Sequence, residues 1–284
     1  MKRYIKFFCL LTIVFFINLP LLSEACTLWA GAGDSIVGGG TMISKNRDWL
    51  PDHQQQIRFV SDGGYRFISL YAVGNEAYGT KQGINEKGFA VVSASPPSYL
   101  EKSENYNGMT RIRTLLSRYD SVQSAINALQ AGRWTCGPES LILADGKEIA
   151  CIEFGFNGTY NIVSRTSSGI TFHTNHYVSD KFTWLNPEKY SNSQNRYNRI
   201  KGFLESKKKL AVEDFKQYSV DPMLWRVGAT SSSACTLSSW IIKQLPNGTG
   251  TLYLRMANPG KPIKEYEFAL KDLFDGKVDL SHVE

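Results

Sequence analysis

The stretch Ser23-Glu24-Ala25-Cys26-Thr27-Leu28-Trp29 joins two unlike parts of the chain. Before it stand Lys2, Arg3 and Lys6, then an apolar run from Phe7 to Leu22 broken by Asn18 and Pro20. After it the chain is rich in β-branched and aromatic residues. A basic start, a short apolar run and small residues at Ser23 and Ala25 form the pattern a signal peptidase cuts. The apolar run falls short of the ~20 residues that span a bilayer, so no stable membrane anchor is expected. A lipid-attachment signal would want leucine where Ser23 stands and a small residue where Glu24 stands. The expectation is therefore a signal peptide over 1–25, a secreted or periplasmic protein, and Cys26 as its first residue.

Outward from the cut, the remaining 259 residues of 284 suit one domain, 26–284, with enough length to bury a substantial core. Loss of three basic residues and one acidic residue leaves a net charge of +4, and Lys207-Lys208-Lys209 is the longest basic run. That argues against nucleic acid as partner. Cys9 leaves with the leader, and Cys26, Cys136, Cys151 and Cys235 remain. Export would permit two disulfides in three pairings. If Cys26 is reactive, at most one forms. No C-x-x-C or His-rich spacing suggests a metal.

Strand signals dominate at Cys26–Gly31, Gly40–Trp49, Ile57–Ser61, Tyr65–Val73 and Gly88–Ser95. Met109–Tyr119 reads as helix, and a second helix is capped by Asp120 or Ser121, with Val122, Ala125, Ile126 and Leu129 on one face. Leu141–Ala144 and Glu148–Phe154 flank Asp145-Gly146, a dipeptide suited to a primed hairpin turn. Tyr160–Val163 and Gly169–Asn175 extend the sheet. Asn192–Lys207 and Ala211–Tyr218 read as helices, and Ala234–Ile242, Thr251–Ala257 and Tyr266–Ala269 return to strand. Strand groups alternating with helix pairs predict two sheets with helices outside, not a parallel α/β fold.

A cysteine at the chain start is a distinct chemical object. Its thiol has an ordinary pKa near ~8.5 and its α-amine one near ~7.7–8.0. The amine can accept the thiol proton and return it to a leaving nitrogen, so one residue supplies nucleophile and base. A buried structural cysteine is the alternative.

Cys26-Thr27 followed about twenty residues later by Lys45-Asn46-Arg47-Asp48-Trp49 resembles the opening of the linear amide C–N hydrolases. That group includes choloylglycine hydrolases, penicillin V acylases and acyl-CoA:6-aminopenicillanic acid acyltransferase-like proteins. Gly83-Ile84-Asn85-Glu86-Lys87-Gly88, Leu143-Ala144-Asp145-Gly146 with Glu153, His173-Thr174-Asn175-His176 and Ser193-Gln194-Asn195-Arg196-Tyr197 resemble further motifs of the family, in the same order. The resemblance implies an α+β fold, the four-layer αββα N-terminal nucleophile (Ntn) arrangement, with no cofactor. It implies Cys26 as nucleophile and amine base, Asp48 as partner of the amine or thiol, and Asn175 as an oxyanion donor. Arg196 would stabilise the thiolate or lock Asp48, and Ser95 would offer its backbone N–H. Lys45 stands where the family usually has arginine; it brings charge without the bidentate fork. From the residues alone, Asp48 also reads as a turn residue, Asn175 as a cap and Arg196 as part of a solvated helix face. His173 and His176 read as structural.

The implied reaction is hydrolysis of a small N-acyl amide through a thioester. Acyl transfer to an amine, or a non-catalytic binding protein of the same fold, are the alternatives, with homo-oligomerisation open. Substrate choice would lie in 96–106 and 182–190, where Tyr99, Tyr106 and Trp184 could line a wall.

Overall fold

The computed structural model describes residues 26–74, 78–96, 108–227 and 234–283. The leader expected over 1–25 lies outside them. So do Tyr99 and Tyr106.

Two antiparallel sheets face each other. The first contains β1 (Thr27–Ala32), β2 (Thr41–Trp49), β10 (Gly169–His173), β11 (Cys235–Gln244), β12 (Gly250–Met256) and β13 (Lys264–Ala269), in the order β10-β1-β2-β11-β12-β13. The second is a meander in chain order: β3 (Gln54–Val60), β4 (Phe67–Val73), β5 (Gly79–Asn85), β6 (Ala90–Ala94), β7 (Glu139–Ala144), β8 (Ile149–Phe154) and β9 (Tyr160–Thr166).

Side chains alternate across a strand, and both faces of β1 are buried. Leu28 and Ala30 meet Ile43, Trp240, Ile68, Leu70, Val92 and Ile142 between the sheets. Trp29 points the other way, under α3 (Ser191–Glu205) and α4 (Val212–Ser219), against Ile200, Leu204 and Phe215. The outer face of the second sheet is covered by α1 (Gly108–Arg118) and α2 (Val122–Gln130) through Leu115, Leu116, Ile126 and Leu129. A short α5 (Leu270–Phe274) adds Leu270 and Leu273 to the inter-sheet core. The layers run helix, sheet, sheet, helix, as expected.

The expected strands and helices form, with ends shifted by a few residues. Ser121 is the α2 cap, its hydroxyl accepting Ser124 N–H at 3.2 Å. β5 has no counterpart in the sequence reading, because Gly-Thr-Lys-Gln-Gly-Ile-Asn lacks the usual strand composition. Its Gly83 is there for close approach: a Cβ would lie 2.5 Å from the Ile68 carbonyl oxygen and 2.7 Å from Leu116 Cδ1. The hairpin at 145–148 is not a primed turn, since neither Asp145 nor Gly146 takes a positive φ. Instead Asp145 Oδ1 accepts Lys147 N–H at 2.8 Å and Glu148 N–H at 3.0 Å, so the side chain closes the loop.

Candidate active site

Cys26 immediately precedes β1 and is buried. Alternation turns its side chain into the inter-sheet core beside Leu28 and sends Thr27 toward α3. The Cys26 thiol donates to the Asp48 carbonyl oxygen at 3.8 Å across the β1–β2 pair. Arg196, one helical turn into α3, reaches in from the other side. Its Nη1 donates to the Cys26 carbonyl at 2.6 Å and to Thr27 Oγ1 at 3.0 Å, and its Nη2 donates to Asn175 Oδ1 at 2.9 Å. Nε donates to Asn192 Oδ1 at 3.0 Å. One fully buried guanidinium thus ties β1, α3 and the segment after β10 together. Burial lowers its pKa to about 10, against the pull of Asp48 and Cys26, which leaves it charged at neutral pH. The expectation that it locks Asp48 directly is not met; its hydrogen bonds go elsewhere, and Asp48 feels it only as a nearby charge.

Asp48 is fully buried. Its Oδ1 accepts the Thr236 hydroxyl at 2.7 Å, while Oδ2 has no hydrogen-bond partner among the described residues. Burial pushes its pKa up to about 6, opposed by Arg196, the Thr236 hydrogen bond, Arg226 and Arg47. A half-satisfied carboxylate beside the start of β1 is suited to a cationic donor.

Asn175 is fixed on all sides. Its backbone N–H donates to Ser193 Oγ at 3.0 Å and its Nδ2 to the Ser95 carbonyl at 2.8 Å. The Arg196 contact sets the amide orientation, placing Nδ2 on the Ser95 side. One Nδ2 hydrogen is committed to Ser95 and a second remains for an incoming oxygen. Ser95 follows β6, and its carbonyl accepts Asn175 Nδ2, which leaves the backbone N–H expected to face an oxyanion as a separate group. Lys45 is buried on the inner face of β2, two residues before Arg47, and its Nζ crosses to the second sheet to donate to the Lys81 carbonyl at 3.2 Å.

The segment carrying Asn175 is clamped by a network that the sequence reading did not assign. Glu153 on β8 accepts His173 Nε2 at 2.8 Å, Val178 N–H at 2.6 Å, Ser179 N–H at 3.1 Å and the Ser179 hydroxyl. His173 Nδ1 lies 2.7 Å from the Thr174 carbonyl. His173 is thus held between the Thr174 carbonyl on one ring nitrogen and the Glu153 carboxylate on the other. His173 and these donors hold the buried Glu153 below its ordinary pKa, although burial itself pushes upward. His176 packs on Tyr190 and Tyr197 and bonds Thr174 Oγ1 and Ser193 Oγ, and burial lowers its pKa to about 4. Glu153 was legible as part of the central hairpin motif. Thr236 and Asn192 carried no signal.

No disulfide links the four described cysteines. Trp184, expected to line a wall, is 72 % exposed. Among the described residues no group of three or more His, Cys, Asp or Glu side chains could hold a metal, and no helix is long and apolar enough to cross a membrane.

Facing antiparallel sheets between helix layers, with a cysteine opening a central strand, define the fold of the Ntn hydrolases. Solved structures agree: a variant of conjugated bile acid hydrolase from Clostridium perfringens superposes with a TM-score of 0.55 at 14 % identity, over 86 % of this chain and 97 % of that one. Penicillin V acylase from Agrobacterium tumefaciens gives 0.55 at 15 % identity over 91 % and 89 %. A Caenorhabditis elegans ortholog of N-acylethanolamine-hydrolyzing acid amidase gives 0.54 at 12 % over 78 % and 93 %. The family model for acyl-coenzyme A:6-aminopenicillanic acid acyl-transferase matches residues 37–260, and the chain belongs to that family. Among curated proteins no sequence matches significantly.

Proposed function

We propose that the chain is an exported hydrolase of N-acyl amides, with Cys26 as nucleophile once residues 1–25 have been removed. The observation that carries this reading is the buried carboxylate of Asp48, whose Oδ2 has no hydrogen-bond partner among the described residues and whose backbone carbonyl accepts the Cys26 thiol. A new α-ammonium on Cys26 would satisfy it by a charge-assisted hydrogen bond. The amine, deprotonated at the moment of attack, takes the thiol proton. Sulfur adds to the acyl carbon, and the carbonyl oxygen gathers negative charge that the second Asn175 Nδ2 hydrogen and the Arg196 charge stabilise. Collapse breaks the C–N bond as the proton passes to the leaving nitrogen, leaving a thioester on Cys26. Water, deprotonated by the same amine, then releases the acid. The structural neighbours include a hydrolase, an acylase and an amidase by name, in keeping with this chemistry.

Acyl transfer is the second reading, favoured by the name of the matching family. An amine rather than water would then resolve the thioester. Incubation of the purified mature protein with a panel of N-acyl p-nitroanilides, with and without a competing amine, separates the two. The expected result is an N-terminal Cys26 by sequencing, an acyl mass increment on it, and free acid as main product. A different or blocked first residue, or full turnover by Cys26→Ala, would sink the proposal.

A further inference from the structure

The inter-sheet interior beside Cys26 contains polar groups that the fold itself does not use. In the first sheet, the row one residue beyond Thr27↔Asn46 carries Cys26, Arg47 and Ser238, and the next row on the same face carries Leu28, Lys45 and Trp240. In the second sheet, Gln82 sits between Leu70 and Val92 on the inner face, and Gln55 sits beside Ala72, two residues from Ile57. The two sheets are tied here by Lys45 Nζ on the Lys81 carbonyl, next to Gln82. Gln55 is anchored through its backbone to Asn258, two residues past Met256, the cross-strand partner of Ser238.

Gln55, Gln82 and Ser238 are each fully buried. Both amide atoms of Gln82, both of Gln55, and Ser238 Oγ have no hydrogen-bond partner among the described residues. A buried donor or acceptor left unmet costs ~1–3 kcal/mol, and an apolar side chain of similar shape would avoid that cost. Five such atoms on the facing inner walls of the two sheets, with Ser238 in the Cys26 row, are the pattern of a surface awaiting a polar ligand.

We propose that this region is the acyl-binding subsite, read by Gln82, Gln55 and Ser238, and that it takes an acyl chain with a hydrogen-bonding tip, a carboxamide matching the two glutamines. The proposal rests on Cys26 being the nucleophile. The half of the substrate held here must be the acyl half. The amine leaves before water enters, so it has to face solvent, whereas the acyl group stays bonded to Cys26 and can occupy the enclosed interior.

The test uses the mature protein and two chloromethyl ketones of one shape, one ending in a primary amide and the other in an isopropyl group after the same four methylenes. In each, Cys26 sulfur bonds the methylene carbon, chloride leaves, and the thiol proton passes to the amine. The amide-tipped reagent should alkylate Cys26 about tenfold faster or more, since sites built to hydrogen-bond reject analogues that cannot. In Gln82→Met that ratio should fall to about one, while the melting temperature holds or rises because an unmet amide has been removed. Equal rates in the native protein would overturn the subsite while leaving the nucleophile intact. So would a Gln82→Met variant that melts lower with its ratio unchanged, since Gln82 would then be structural. Alkylation of Cys26 by both reagents no faster than that of free cysteine would remove the nucleophile reading, and the subsite with it.

Discussion

Asp48 and Glu153 are both fully buried carboxylates, and the protein treats them oppositely. Glu153 accepts hydrogen bonds from His173, Val178 and Ser179, and those donors hold it ionised despite its burial. Asp48 has one hydroxyl on one oxygen and, among the described residues, no partner on the other, and burial wins, raising its pKa to about 6. The difference separates a carboxylate that builds the site from one that awaits a partner. Glu153 fixes the segment that aims Asn175. Under the proposed cleavage, Asp48 would meet the charge of a new α-amine on Cys26.

Mutation should split the pair most sharply. Asp48→Asn should lower kcat/KM by about 10²–10⁴-fold, the usual contribution of a group that controls a catalytic proton, with melting temperature unchanged or raised. Glu153→Gln should instead destabilise the fold by about 3–5 kcal/mol, the cost of breaking a buried ion pair, readable in denaturant titration. If Glu153→Gln kept full stability, the Glu153–His173 pair would not be what holds the segment.

Next in size is Asn175→Ala, which should reduce kcat by about 10²–10³-fold with little change in KM, as loss of an oxyanion donor does. An equal rise in KM would point to ground-state binding instead.

The pH dependence of stability should differ in sign. The folded pKa of Asp48 is raised, so a chain blocked from processing should lose stability as pH rises between the ordinary value of 3.8 and about 6. Across that window the unfolded chain has ionised and the folded one has not. The folded pKa of Glu153 is lowered from 4.5, so its contribution is present above that value and fades as pH falls through the lowered one. In the processed protein an α-ammonium beside Asp48 should shrink the first effect and spare the second. Urea denaturation of both forms between about pH 2 and 7 would show it; identical profiles would disconnect Asp48 from the amine.

The smallest effect belongs to Trp184→Ala. At 72 % exposure this side chain should change stability by no more than about 0.5 kcal/mol, and the selectivity between N-acyl substrates should not move. A selectivity change would return Trp184 to the binding wall expected from the sequence.

Much of the site was legible because its residues lie in short motifs. Cys26-Thr27, Asp48, Asn175 and Arg196 were named from the chain, and the fold brings them to one end of the β1–β2 pair. Illegible parts depended on distant contacts. Thr236 meets Asp48 across 188 residues, and nothing in Ala-Cys-Thr-Leu hints at it. Ser95 was located, but that its carbonyl accepts Asn175 Nδ2 follows from the orientation that Arg196 imposes on Asn175. β5 was missed because Gly83 serves close approach to Ile68 on β4 and Leu116 on α1 rather than strand propensity.

The sequence by itself determined the element pattern, the layered α+β arrangement and the family, because alternation, turn residues and motif order are local properties. Only the tertiary structure decided which buried carboxylate is satisfied and which is not. Desolvation and hydrogen-bond partners are set by residues far apart in the chain, and the same Asp or Glu is a strut or a reactive group according to what surrounds it.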